Sequence, residues 1–168
     1  MLLELKQYKP AIVRGNASEI IALASLWGIE ANACESSRPR GVDTTDTVEA
    51  ARDAAAALAR YTGGAVAVSG KKDLVTDGEK VVYSEGGSEL MEKVTGFGCS
   101  QGGVLAVYAT ATNPFTAALA AVAHYNVAGS RAAKVADAPA SFKTAFIDEL
   151  YRATARDIAD NPFSVEEA

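Results

Sequence analysis

The sequence predicts an α/β protein with a parallel strand pair, a β-hairpin and a helical C-terminal half. Three observations carry this expectation. Residues 65–70, AVAVSG, form a continuous apolar run closed by glycine, the pattern of a strand buried on both faces of a parallel sheet. A shorter apolar run, 11–13, precedes it with two helical patterns between. That order makes a βαβ-type unit, whose crossover is expected to be right-handed. After residue 70 the apolar period falls to two around Asp77-Gly78, then returns to helical spacing.

The elements follow in order. Ala11-Ile12-Val13 is the first strand, stopping at Arg14-Gly15-Asn16. Ile20, Ile21, Leu23, Ala24 and Leu26 then recur on one helical face. Asn16 or Ser18 caps this helix, Glu19 sits in its first turn and Gly28 closes it. Residues 29–43 are polar and read as a loop. Residues 44–61 form a second helix, capped by Thr45 or Asp46, with Val48, Ala51, Ala55, Leu58 and Ala59 as its stripe. Gly63-Gly64 end it, and the AVAVSG strand follows. Runs 74–76 and 80–83 flank Asp77-Gly78 as a hairpin. A short strand is expected at 89–94. Helices are expected at 99–111, at 114–134 with a proline in its first turn, and at 141–158. The 168 residues are read as one domain, without repeats or linkers.

Composition removes several function classes. The chain has 16 Lys+Arg against 21 Asp+Glu, a net charge of −5. Without a basic cluster, that balance argues against nucleic-acid binding. No apolar run reaches the roughly 18–20 residues of a membrane span. The start, MLLELKQYKP, lacks the apolar stretch of a signal peptide. Cys34 and Cys99 have no metal-ligand spacing around them, so neither a disulfide framework nor a zinc site is expected. A cytoplasmic protein is the expectation.

Three segments have the residues that chemistry needs, each at a strand end. The first is VTGFGCSQGG, 94–103. Its glycines allow a tight turn that points successive N–H groups at one place. The helix that follows adds unpaired N–H groups and a positive dipole end. Such a turn suits an anion, or negative charge developing in phosphoryl transfer. Cys99 lies in the first turn of that helix. The plain alternative is a glycine turn with a buried Cys cap. It is not a Walker loop, and Gln101 breaks a dinucleotide fingerprint.

The second segment is RGNASEI, 14–20. Ligands of open α/β sheets bind beyond the carboxyl ends of strands. There Arg14 suits a phosphate, and Glu19 suits Mg²⁺ held through water. The alternative is an N-cap followed by a first-turn Glu. The third segment, SGKKDLVTDGE at 69–79, puts Ser69 on the same sheet edge. Asp73 and Asp77 are read as shaping the hairpin turn. His124, inside an apolar helix, is read as a core or interface residue, and Trp27 as packing at a helix end.

Together the segments resemble the hydroxyethylthiazole kinase family, which has the ribokinase-like fold. The matching text is KPAIVRGNASEIIALA, RGVDTTDT, GAVAVSGKKDLVTDGE and KVTGFGCS, with weaker echoes in HYNVAG and PASFKTAFIDELY. The resemblance implies a central, mostly parallel sheet flanked by helices. It implies transfer of the γ-phosphoryl of MgATP to the hydroxyl of 4-methyl-5-(2-hydroxyethyl)thiazole in thiamine salvage. Arg14 and Ser69 match its ATP-binding positions, and Asn16 and Glu19 its Mg²⁺ and phosphate motif. Gly96 matches a substrate-binding glycine. Gly96, Phe97, Gly98 and Cys99 match the anion hole, with Cys99 where most ribokinase-like relatives have an Asp general base. That cysteine speaks against other ribokinase-like activities.

The sequence also departs from the family. Phe97 replaces a small residue between the two glycines, and its ring is expected to crowd phosphate or thiazole. Glu85-Gly86-Gly87 replaces the usual His-Asn-Gly. Family members carry a long segment before the first strand, so the chain is read as truncated, matching the C-terminal, nucleotide-side part. The implied partners are ATP, hydroxyethylthiazole, and either further copies, a trimer by resemblance, or a missing N-terminal piece. The alternative reading is a nucleotide-binding fragment without turnover.

Overall fold

The computed structural model describes residues 1–29 and 48–167, which form two compact units. The expected loop at 29–43, with Cys34, and the expected caps Thr45 and Asp46 lie outside the described residues, save Ile29.

The first unit runs from Met1 to Tyr83 and takes in the last strand. Helix α1 (Leu2–Leu5) and a 3-10 turn (Lys6–Tyr8) lead into β1 (Ile12–Asn16) and α2 (Ala17–Leu26). Then come α3 (Val48–Thr62), β2 (Ala65–Ser69), β3 (Asp73–Thr76) and β4 (Lys80–Ser84). The sheet closes with β5 (Phe163–Glu167), in the order β1-β2-β3-β4-β5.

The βαβ expectation holds. β1 and β2 run parallel, with Asn16 opposite Ser69. β2 is buried from Ala65 to Val68, as its unbroken apolar run requires. The expected mostly parallel sheet is corrected: it is mostly antiparallel, beginning with the β2–β3 pair. A short turn, residues 77–79, reverses the chain between β3 and β4, whereas each parallel return needs a crossover. Asp77 shapes that turn by accepting from the amides of Glu79 (3.0 Å) and Lys80 (2.9 Å). Burial pushes its pKa up, but those amides and the Lys80 charge outweigh it and hold the carboxyl below its ordinary value.

The core of this unit follows the α3 stripe, while the α2 stripe holds only in part: Leu26 is exposed, and Ile21 and Leu23 are half-buried. Ile20 and Ala24 of α2 and Ala51, Ala55, Leu58 and Ala59 of α3 pack with Val66, Val68, Leu74 and Val81. Trp27 is buried there and donates Nε1–H to the Leu2 carbonyl at 3.0 Å. It is the packing residue the sequence suggested.

The second unit covers Ser84 to Phe163. It holds a 3-10 helix (Glu89–Lys93), α4 (Phe97–Ala109), α5 (Pro114–Ala132), α6 (Pro139–Arg152) and α7 (Ala155–Ala159). Its core joins Phe97, Tyr125, Ala128, Ala132, Phe142 and Phe146. The small residues of α5 let neighbouring backbone approach: a Cβ on Gly129 would lie 2.9 Å from Gly87 Cα. The Gly87 amide donates to the Asn126 carbonyl (3.0 Å) and to Ser130 Oγ (2.9 Å). So the Glu85-Gly86-Gly87 departure is accommodated against α5.

Three sequence expectations fail here. The strand at 89–94 is a 3-10 helix, because Ser88 Oγ accepts the Leu90 amide and closes a turn. The helix expected at 141–158 breaks at Ala153–Thr154, where Thr154 and Asp157 form a capping box for α7. The chain does not stay helical to its end, since β5 follows. No described helix is long and apolar enough to cross a membrane.

Candidate active site

In the first unit, four predicted residues meet at the carboxyl ends of β1 and β2. Arg14 Nη2 donates to Ser69 Oγ at 2.8 Å, so the two side chains brace each other across the parallel pair. Asn16 ends β1 and caps α2. Its Oδ1 accepts the Glu19 amide (2.9 Å), and Glu19 Oε2 accepts the Asn16 amide (2.8 Å). This reciprocal box satisfies two N–H groups at the helix start. It leaves both side chains exposed while fixing their positions.

Gly15 is a residue that sequence reasoning passed over. A Cβ there would lie 3.1 Å from Glu19 Cβ and 3.2 Å from Glu19 Oε2. Glu19 folds back over β1 because position 15 has no side chain. Asp73 is a second. It is buried, and its Oδ1 accepts the Gly70 amide at 3.0 Å, holding the turn that follows Ser69.

In the second unit, Gly96 is the N-cap of α4, at φ +86° and with no side-chain cap bond. An L side chain is strained at that angle, although the space around Gly96 is open. Phe97, Gly98 and Cys99 are the first three helical residues. The Phe97 amide donates to the Val94 carbonyl at 3.3 Å, while the Gly98 and Cys99 amides fall where the helix ladder leaves N–H groups without partners. Cys99 is exposed, which removes the buried-cap alternative.

The expected crowding by Phe97 is corrected. Its ring points into the unit's own core, is only 8% exposed, and lies 4.5 Å from Phe146 and 5.8 Å from Phe142 between centroids. Burial of a large apolar ring outweighs any preference for a small residue in the turn. Ser100 ties the turn down further. Its Oγ donates to the Phe97 carbonyl (2.9 Å) and lies 2.8 Å from the Tyr125 hydroxyl. His124 has both ring nitrogens engaged, by Tyr108 (3.1 Å) and the Leu150 carbonyl (2.9 Å), a structural arrangement. Burial pushes the Tyr108 hydroxyl pKa up.

The sequence comparison decides what these clusters belong to. Residues 1–156 match the family described as Hydroxyethylthiazole kinase family. The chain belongs to the hydroxyethylthiazole kinase family. Among relatives, it is 44% identical to the hydroxyethylthiazole kinase of Bifidobacterium longum strain DJO10A, over 99% of this chain and 58% of that protein. It is 46% identical to that of Corynebacterium glutamicum strain R, over 90% of this chain and 55% of that protein. The solved hydroxyethylthiazole kinase of Pyrococcus horikoshii OT3 superposes with a TM-score of 0.79 at 28% identity, covering 99% of this chain and 58% of that one. The chain thus spans little more than half the length of the hydroxyethylthiazole kinases it matches.

Proposed function

We propose that this chain serves ATP-dependent phosphorylation of the hydroxyl of 4-methyl-5-(2-hydroxyethyl)thiazole, in thiamine salvage. The observation that supports it best is the first turn of α4: an uncapped, left-handed glycine followed by an exposed cysteine, in a chain of this family. Phosphoryl transfer asks mainly for positioning and for charge stabilisation. In this reading Arg14 and Ser69 hold ATP phosphates, and Gly96 contacts the thiazole. The turn Gly96, Phe97, Gly98 and Cys99 receives the transferring phosphoryl group, with the Gly98 and Cys99 amides as donors while the Phe97 amide stays on the Val94 carbonyl. Cys99 Sγ accepts the alcohol proton as the substrate oxygen bonds the γ-phosphorus. The bond from that phosphorus to the β–γ bridging oxygen breaks, and ADP leaves.

Asn16 and Glu19 are assigned to the Mg²⁺ that accompanies ATP. Each already spends one oxygen on the capping box, and the described residues contain no group of three metal-ligating side chains. That donor set fits an ion held through water and phosphate rather than a full protein cage. Bound there, Mg²⁺ supplies neutralisation of phosphate charge.

The 58% span favours a second reading for residues 1–168 alone, nucleotide binding without turnover. We also assign the match to the relatives' C-terminal, nucleotide-side part, and the protein to the cytoplasm. Among the described residues β1 lies at one edge of the sheet, and an edge strand is a template for a partner strand. A homo-oligomer, a trimer by family resemblance, or pairing with an N-terminal piece would supply one; a monodisperse monomer in sedimentation would count against both. ADP release measured with and without hydroxyethylthiazole, beside calorimetric ATP binding, separates the two activities. Thiazole-dependent release supports the kinase. Binding without it supports the second reading, and absence of both removes each.

A further inference from the structure

We propose that Tyr125 is a positioning residue for the anion hole, acting through Ser100 on the peptide between Phe97 and Gly98. This rests on the anion-hole role proposed above for the first turn of α4.

The relay follows from hydrogen-bond inventory. Ser100 Oγ has one proton, and it goes to the Phe97 carbonyl at 2.9 Å. Tyr125, 2.8 Å away, therefore donates its own proton to Ser100 Oγ. The receiving carbonyl is not an arbitrary one. The Phe97 C=O and the Gly98 N–H are opposite ends of a single planar peptide. Fixing the carbonyl end fixes the direction of the amide end. Hydrogen bonds in series also polarise one another, so two donors stacked behind the carbonyl make the Gly98 N–H a stronger donor. That N–H belongs to the second helical residue, where the helix ladder leaves amides without partners.

A serine bonded to the carbonyl three residues back is common in helices and by itself says little. Here a second, buried group stands behind it. Tyr125 is 2% exposed and held by the aromatic cluster that also holds Phe97: its ring lies 5.0 Å from that of Phe146, and the Phe97 ring 4.5 Å from it. Both ends of the relay are thus anchored in one rigid cluster, and the buried hydroxyl is aimed at the turn.

The test follows the Gly98 and Cys99 amides of the full chain by NMR while inorganic phosphate is titrated. In the wild type both amides are expected to shift saturably. In Tyr125→Phe, which keeps the ring, and in Ser100→Ala, the apparent Kd for phosphate is expected to rise about threefold. The double variant is expected to lose no more than either single one, since each cut breaks the same chain. Ser100→Thr, which keeps a hydroxyl, restores wild-type binding. If Tyr125→Phe does not fold, Ser100→Ala at its exposed position carries the same expectation. Wild-type phosphate affinity in folded variants overturns the relay and leaves the anion hole standing. Wild-type amides that ignore phosphate overturn the anion hole and the relay with it.

Discussion

At the residue scale, three residues bear on the proposed site in different ways. Cys99 is exposed in the first turn of α4 and is the group assigned to take the alcohol proton. General-base contributions start near 100-fold, so Cys99→Ala is expected to lower thiazole-dependent turnover roughly 100-fold. Cys99→Asp, which restores the carboxylate of other ribokinase-like enzymes, should retain or raise it. Equal turnover in wild type and Cys99→Ala would remove Cys99 from that role. Gly15 acts through Glu19. A methyl at position 15 presses on Glu19 Cβ and Oε2 at 3.1 and 3.2 Å, so Gly15→Ala should displace the carboxylate. The expected outcome is a raised Mg²⁺ requirement for ATP binding, together with about 1 kcal/mol lost from the helix cap. Calorimetric ATP titrations at several Mg²⁺ concentrations would show no difference if Glu19 takes no part. Phe97 contributes through packing instead. Phe97→Thr brings the turn closer to the usual family text yet empties a core position, and is expected to cost about 3 kcal/mol in urea unfolding.

At the element scale, α7 stands on Thr154 and Asp157. The Arg131 guanidinium, 2.6 Å from Asp157, is the main cause holding that carboxyl far below its ordinary value of 3.8, and the Thr154 amide and hydroxyl add to it. A depressed carboxylate contributes stability above its unfolded pKa and loses it as pH falls toward the folded one. Stability should therefore fall below about pH 4, and Asp157→Asn should flatten that part of the curve. An unchanged slope in denaturant midpoints between pH 6 and pH 3 would assign the acid sensitivity elsewhere. The same box shows what was readable. Thr154-Ala155-Arg156-Asp157 is a capping signature, so the break that ends α6 was present in the text and overlooked. β1, α2, β2 and the hairpin were legible because their signals are local: Asn16 with Glu19, an unbroken apolar run, Asp77-Gly78. Residues 89–94 misled because apolar Leu90 and Met91 are adjacent and Ser88 decides the outcome through its own side chain. The inward turn of Phe97 was not legible, since its partners Phe142 and Phe146 lie more than forty residues away.

At the scale of the whole molecule, β5 shows how a distant segment completes the sheet. The chain leaves the first unit near residue 84 and supplies its last strand only from residue 163. Such long-range pairing has no local signature, and FSVEE is exposed along its length. Its stabilising contribution must therefore come chiefly from backbone hydrogen bonds to β4 rather than from apolar burial. The Arg52–Glu166 pair at 3.0 Å is half-exposed, and pairs of that kind contribute little. These two magnitudes separate experimentally. Arg52→Ala is expected to leave stability nearly unchanged. Truncation after Pro162 should remove a few ladder bonds and cost about 2 kcal/mol. Trp27 is the sole tryptophan and is buried in the core of the first unit, so its fluorescence in urea reads that unit. A truncated chain whose Trp27 transition matches the full-length midpoint would mean that β5 does not support the sheet. A lowered midpoint in the truncated chain alone, with Arg52→Ala at the full-length value, would assign the stability to the strand ladder.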